Sequence, residues 1–390
     1  MLRKRRQSFS LLVATFVGTM DSNAMVPIIA LYAVYLGAGL EIVGLIVAMY
    51  SIVHIPSNIV FGRLADKIGR RNPLILGLSW DAFSVFLYSV ATNPMHLLLV
   101  RACHGIGGGF VGPSSMAIAS GLAPDDRKGR MMALYGIALA VSVIVGFMLS
   151  GMIVGRFGYQ ALFYVLSLSL IVAVAFAFNV KEPKELGRVK TTFVEDVSKF
   201  LGILRKKLAQ ASYTAIFCLY FSMGAFTVLV PLYMKGFGMT EVHVAIAFST
   251  FALLSIIIHY PSGWLSDRLG PKVPAIAGLL TITLSLVLLP FFDTLPSLLP
   301  VMAIFGIGHG LVFPSSSAMV VRGTSQNERG LGTGVFYAIL VAGVAVGAPL
   351  AGFMVPVFGI DFGFWATASV GVIGSALILG LLRKVRVTRT

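Results

Sequence analysis

Charge is what this sequence has least of. Only 12% of its 390 residues are Asp, Glu, Lys or Arg, about half the share of a soluble domain, while 57% are hydrophobic. Cysteine is almost absent. Cys103 and Cys218 lie in apolar stretches of opposite halves without metal-like spacing, so neither a disulfide framework nor a metal site is expected. No GxxxxGK[ST] loop occurs, which excludes ATP hydrolysis by that route, and no GxSxG or HExxH pattern offers a nucleophile or a metal-bound water. The expectation is therefore a protein that is not an enzyme, with no catalytic residues and no bound cofactor.

What the sequence has is apolar length. Stretches of about 20 or more apolar residues span a bilayer as helices. Twelve such windows run at about 9–36, 41–64, 73–92, 95–122, 131–155, 159–179, 211–234, 242–265, 273–292, 297–321, 331–356 and 360–382. A barrel would show alternating segments of about ten residues instead. The fold class expected is all-α integral membrane, with twelve transmembrane helices. The net charge of +15 would point to nucleic acid in a soluble chain, but 27 of the 30 Lys and Arg fall on one side of the alternating loops. That pattern predicts a multi-pass protein of the cell (inner) membrane with both termini cytoplasmic and no nucleic-acid partner. RKRRQ followed by a long apolar run is too long for a cleaved signal core, so the first helix should stay.

A shift of 201 residues lays the sequence on itself. Gly62, Asp66 and Gly69 fall on Gly263, Asp267 and Gly270, and Gly105, Gly107, Gly109 and Pro113 fall on Gly306, Gly308, Gly310 and Pro314. Gly146 meets Gly347 and Gly151 meets Gly352. One offset held over such a length predicts two pseudo-symmetric six-helix bundles, residues 1–180 and 211–390, with a ligand site between repeats. The linker 181–210 carries Phe193, Val197, Phe200, Leu201, Leu204 and Leu208 at helical spacing among charges, the pattern of an amphipathic helix on the inner membrane surface.

The stretch GRLADKIGRR, Gly62 to Arg71, resembles the signature loop of the major facilitator superfamily, and GWLSDRLGPK from Gly263 is its degenerate second copy. RACHGIGGG from Arg101 and DSNAMVP from Asp21 also resemble stretches of that family, most closely its twelve-helix drug:proton antiporter branch. The diagnostic fifth-helix pattern of that branch, GxxxGPxxGG, is matched at Gly146 and Gly151, whereas Ser142, Phe147 and Ser150 depart from it. The resemblance implies the major facilitator fold, and a latch formed by Gly62, Asp66, Gly69, Arg70 and Asp267. Gly105, Gly109, Gly146, Gly151, Gly347 and Gly352 let helices approach closely.

Few polar groups remain within the spans: Asp21, Asp81, Arg101, His54, His104, His259 and His309. Charges at depth mark pathways or pair with one another. Asp21 is either a proton or cation site, or a structural aspartate satisfied by Ser22, Asn23 or a histidine. The proton/substrate coupling candidates are Asp21, Asp81, Arg101, His54, His104 and His309. At about 1.5 Å per residue from the connecting turns, Asp21 shares a level with His54, and Asp81 with His104. Aromatic and methionine walls suit lipophilic ligands, and the cavity candidates are Asn23, Tyr32, Tyr35, Tyr220, Phe221 and Phe226. The reading is a monomeric secondary transporter exporting small lipophilic or cationic compounds by proton antiport and alternating access, with the proton as coupling ion. A lipid, glycolipid or metabolite exporter without coupling and a non-transporting membrane sensor are the alternatives.

Overall fold

The computed structural model describes residues 2–122, 128–181, 202–326 and 328–383; the side chains of 2–5, 62–68 and 128–129 lie outside that description. The described residues are mostly helical, joined by short turns, and contain no strand. In a bilayer only internal pairing satisfies backbone N–H and C=O groups, and an unbroken helix achieves that locally. The helices are α1 (Leu2–Met25), α2 (Ile29–Tyr35), α3 (Leu40–Ile68), α4 (Arg71–Ser89), α5 (Pro94–Leu122) and α6 (Lys128–Phe178). They continue with α7 (Lys207–Gly236), α8 (Glu241–Leu269), α9 (Lys272–Leu288), α10 (Leu295–Gly323), α11 (Arg329–Phe358) and α12 (Ile360–Leu381).

Every apolar window is occupied by helix, in two places differently from expectation. The first window breaks at Val26–Ile28, so α1 and α2 meet at a bend of 50°. Pro27 lacks a backbone donor and crowds the preceding turn, which explains the break. Conversely, the fifth and sixth windows join in α6, interrupted only at Gly158 (φ 83°, ψ 173°), a conformation that needs glycine. Among the described residues eight helices are long and apolar enough to cross a membrane, nine with the bent α1–α2 pair. α6 counts once in that figure. α4 and α5, which carry Asp81, Arg101 and His104, do not reach it.

Two compact units divide the chain: Met1–Val189 with Thr240–Ile246, and Lys190–Met239 with Ala247–Thr390. Within the first, α1 packs on α6, α5 on α3 and α4, and α4 on α6. Within the second, α7 packs on α10, α11 and α12, and α9 on α10 and α12. The 201-residue repeat reappears as matching contacts. A Cβ on Gly105 would meet the Tyr50 carbonyl and Val53, and one on Gly306 the equivalent Phe251 carbonyl and Leu254. Gly146 abuts the Met20 carbonyl as Gly347 abuts that of Phe221. The Tyr32 hydroxyl donates to the Tyr88 and Ala91 carbonyls, that of Tyr233 to Pro290 and Phe292. Even the glycines of positive φ pair off: Gly37 with Gly238, Gly69 with Gly270, Gly158 with Gly359.

The linker residues Phe193, Val197, Phe200 and Leu201, expected on an amphipathic helix, lie outside the described residues. Beyond them Lys206 Nζ lies 2.5 Å from Glu328 Oε2. This donor, with the Ser325 hydroxyl and amide at 2.5 and 2.8 Å, holds the Glu328 carboxyl down at about 2. A depressed carboxyl adds stability that is present above its unfolded value, about 4.5, and is lost as pH falls through about 2. Hydrogen-exchange protection at the start of α11 is therefore expected to drop across that window in the wild type. In Glu328→Gln it should stay flat.

Candidate functional site

Four helices of the first unit bring their polar residues together. α1 supplies Asp21 and Ser22, α3 Tyr50 and His54, α4 Asp81 and Tyr88, α5 Arg101 and His104. Asp21 and His104 are both fully buried, and His104 Nε2 lies 3.0 Å from Asp21 Oδ2. The opposite ring nitrogen, Nδ1, is 3.1 Å from the Tyr88 hydroxyl. Arg101 donates to the Tyr88 oxygen at 3.5 Å and to the Ile46 and Val47 carbonyls at 3.2 and 3.1 Å. Its guanidinium also sits over the Tyr50 ring, 5.1 Å from the centroid. With His104 neutral, the donors run in one direction: Arg101 to Tyr88, Tyr88 to His104, His104 to Asp21.

The chain of donors ends on a carboxylate that is only half satisfied. Asp21 Oδ1 is buried without a hydrogen-bond partner among the described residues, and so is Asp81 Oδ1. An unpaired buried polar atom costs about 1–3 kcal/mol. Asp81 packs so closely on Gly107 that any Cβ there would strike its Oδ1. His54 stacks on Tyr50, with centroids 5.2 Å apart, and its Nδ1 is likewise unpartnered. Asp21 therefore bonds to His104, while His54 lies beyond Tyr50. Depth counted from the turns gives levels and not pairings, because it says nothing of which face a residue occupies.

The remaining candidates are more dispersed. Asn23 donates to the Thr19 carbonyl at 2.8 Å and to Ser142 Oγ at 3.3 Å. Tyr32 and Phe226 are wholly buried, Phe226 stacked on Phe305 at 4.1 Å, whereas Tyr35 is exposed. Tyr220 stands edge-on to His309 at 5.9 Å, and Phe221 is buried. His309 Nδ1 pairs with Ser255 Oγ at 2.7 Å, and His259 Nδ1 with the Ser255 carbonyl at 2.5 Å. Of the latch residues, Asp267 bonds Arg322 at 2.8 Å, and Gly69 has the positive φ shared with Gly270. Arg70 precedes α4, while the surroundings of Gly62 and the Asp66 side chain fall outside the described residues. Gly109 rests on Ser57, Gly151 on Ala245, and Gly352 is buried in α11.

The second unit shows what this architecture looks like without the polar cluster. At the positions of Asp21, Tyr50, Asp81, Tyr88, Arg101 and His104 stand Ser222, Phe251, Ile282, Leu289, Met302 and Phe305. Phe305 there stacks on Phe226 and meets Phe251 edge-on at 5.6 Å, and Ile282 takes the place of Asp81 against Gly308. The helix packing is the same while the charge is gone. The cluster is thus not a requirement of the fold.

Comparison with known proteins agrees with this architecture. The sequence profile described as the Major Facilitator Superfamily matches residues 11–212 and 212–390. The chain belongs to the major facilitator superfamily. Its relatives include the multidrug resistance protein MdtG of Dickeya zeae, 24% identical over 95% of this chain and 93% of that one. The staphyloferrin B transporter of Staphylococcus aureus is 23% identical over 88% of this chain and 85% of that one. A crystal structure of a bacterial homologue of the human lysosomal transporter Spinster, inward-facing and occupied, superposes with a TM-score of 0.84 at 14% identity, covering 96% of each chain. This major facilitator protein is therefore a multi-pass membrane transporter by family, with the major facilitator fold.

Sequence reasoning missed Tyr88 and Tyr50, the two phenols that knit the cluster together. A signal was available for both: Tyr88 lies seven residues after Asp81 on α4, and Tyr50 four before His54 on α3, spacings that share a helix face. Ser255, which bridges the two histidines of the second unit, was missed too.

Proposed function

We propose that this protein exports small lipophilic compounds, organic cations among them, by proton antiport with alternating access of its two repeats. Asp21, backed by His104, is the site where proton and substrate compete. The observation carrying the reading is that a buried acid–base pair occupies one repeat where the other packs the same space with Ser222 and Phe305. Buried charge destabilises relative to apolar packing unless it is paired, so its presence in one repeat alone calls for a use. The free Oδ1 of Asp21 accepts either a proton or the positive charge of a ligand. One carboxylate serving both in turn is sufficient for exchange. With both termini read as cytoplasmic from the loop charges, the proposed exchange carries substrate out of the cell as protons enter.

The second reading, export of a polar metabolite, is favoured by the staphyloferrin B relative. Both are tested in proteoliposomes with an acidic interior, using ethidium as the lipophilic cation and the siderophore staphyloferrin B as the metabolite. Ethidium accumulation that a protonophore abolishes supports the proposal. Siderophore accumulation alone supports the second reading. Uptake of ethidium indifferent to the gradient removes proton coupling, and movement of neither, with ligand binding intact, points to a sensor.

A further inference from the structure

A cavity at one end of the first unit is unrelated to the Asp21 cluster. It has a volume of about 540 Å³ and is lined by Arg6, Gln7, Arg71, Phe178, Asn179, Val180 and Lys181. These come from the first turns of α1, the first residue of α4 and the chain leaving α6. Three of the seven are cations and none is acidic. The Arg71 guanidinium is already oriented: its Nη2 donates to the Phe178 carbonyl at 2.8 Å, and its Cζ lies 5.9 Å from the Phe178 ring centre. Phe178, which lines the cavity, is 58% exposed; Phe9, two residues beyond Gln7 on α1, is 60% exposed and stands edge-on to Phe176 at 6.1 Å. In a spanning protein, aromatic surface of that kind faces acyl chains.

We infer that this cavity binds the phosphodiester headgroup of an anionic phospholipid, its tails lying along Phe9 and Phe178. Arg71, Arg6 and Lys181 bring three cations from separate segments to face phosphate oxygens, with the Arg71 guanidinium held in place by the Phe178 carbonyl. Gln7 and Asn179 supply amides for the hydroxyls of a glycerol headgroup. Basic pockets between spanning helices are a known setting for such headgroups. A free phosphate shares the oxygen chemistry but leaves the aromatic rim unused, so the lipid is the occupant that accounts for both.

The test is native mass spectrometry of the full chain in detergent, titrated with phosphatidylglycerol or phosphatidylcholine. Phosphatidylglycerol is expected to bind at least ~5-fold more tightly, since each cation near the headgroup contributes on the order of that factor. Lys181→Gln should weaken phosphatidylglycerol by about 5-fold and Arg71→Gln with Lys181→Gln by more than about 20-fold, with a smaller effect on phosphatidylcholine, whose choline offsets the charge of the same phosphodiester. Lys207→Gln, an exposed cation elsewhere, should change neither. Arg71 also fastens the end of α6, so if its variant fails to fold, the exposed Lys181 decides alone. Equal affinity for the two lipids, or Lys181→Gln binding like wild type, overturns the inference. Displacement of the lipid by equimolar inorganic phosphate also overturns it, in favour of a free-anion site.

Discussion

Asp21→Asn is expected to abolish the release of protons that accompanies binding of a lipophilic cation. In the wild type, a weakly buffered sample titrated with tetraphenylphosphonium should acidify in proportion to ligand bound, because the cation displaces the proton from a shared carboxylate. The asparagine keeps the shape of the site and its contact with His104 but loses the charge. A cation left without its counter-charge in a dry site is destabilised by about 3–5 kcal/mol, so binding should weaken by about 100-fold or more. The comparison is therefore made at ligand concentrations that saturate both proteins, where release from the variant should be zero. Release equal to that of the wild type would move the proton site to Asp81 or a histidine. Saturable binding with no release from either protein would end the idea of competition.

The second large effect concerns the close approach of α3 and α5. A Cβ built at Gly105 lies 3.2 Å from Val53 and 3.3 Å from the His54 amide, and still closer to the Tyr50 carbonyl. Backbone cannot give way as a side-chain tip can. Gly105→Leu should therefore force the helices apart, at a cost above the ~1–3 kcal/mol typical of overpacking in a core. It should also pull Tyr50 and His54 away from the Asp21–His104 pair, since both leave α3 at that contact. Gly112→Leu, seven residues along the same helix, meets nothing within 4 Å and is the control. The expected result is a large fall in melting temperature for the first variant and little change for the second. Equal melting temperatures would mean that the contact is softer than its geometry implies.

Both predictions depend on the repeat, and the repeat separates two kinds of constraint. Glycines at 105, 109 and 146 recur at 306, 310 and 347 because helix backbones touch there in each unit, and a touching backbone excludes any side chain. Asp21, Tyr88, Arg101 and His104 do not recur, because their positions need only be filled. Serine, leucine, methionine and phenylalanine fill the equivalent places without a charge to bury.

What the order of residues determines by itself follows from the range of each interaction. Apolar length and loop charge act locally or through the solvent, so the windows, the internal repeat and the family signature could be read directly from the order of residues. The list of buried polar residues was equally legible, since a charge among about 20 apolar neighbours is conspicuous in one dimension. Which of them meet was not. Pairing depends on the rotation of each helix about its axis and on the bend at Pro27. Two packed surfaces set that rotation together, and neither segment specifies it alone. So Asp21 was evident from its neighbours Gly18 to Pro27, whereas its bond to His104, its unpartnered Oδ1 and the Tyr88 bridge to Arg101 were decided only when α1, α4 and α5 packed.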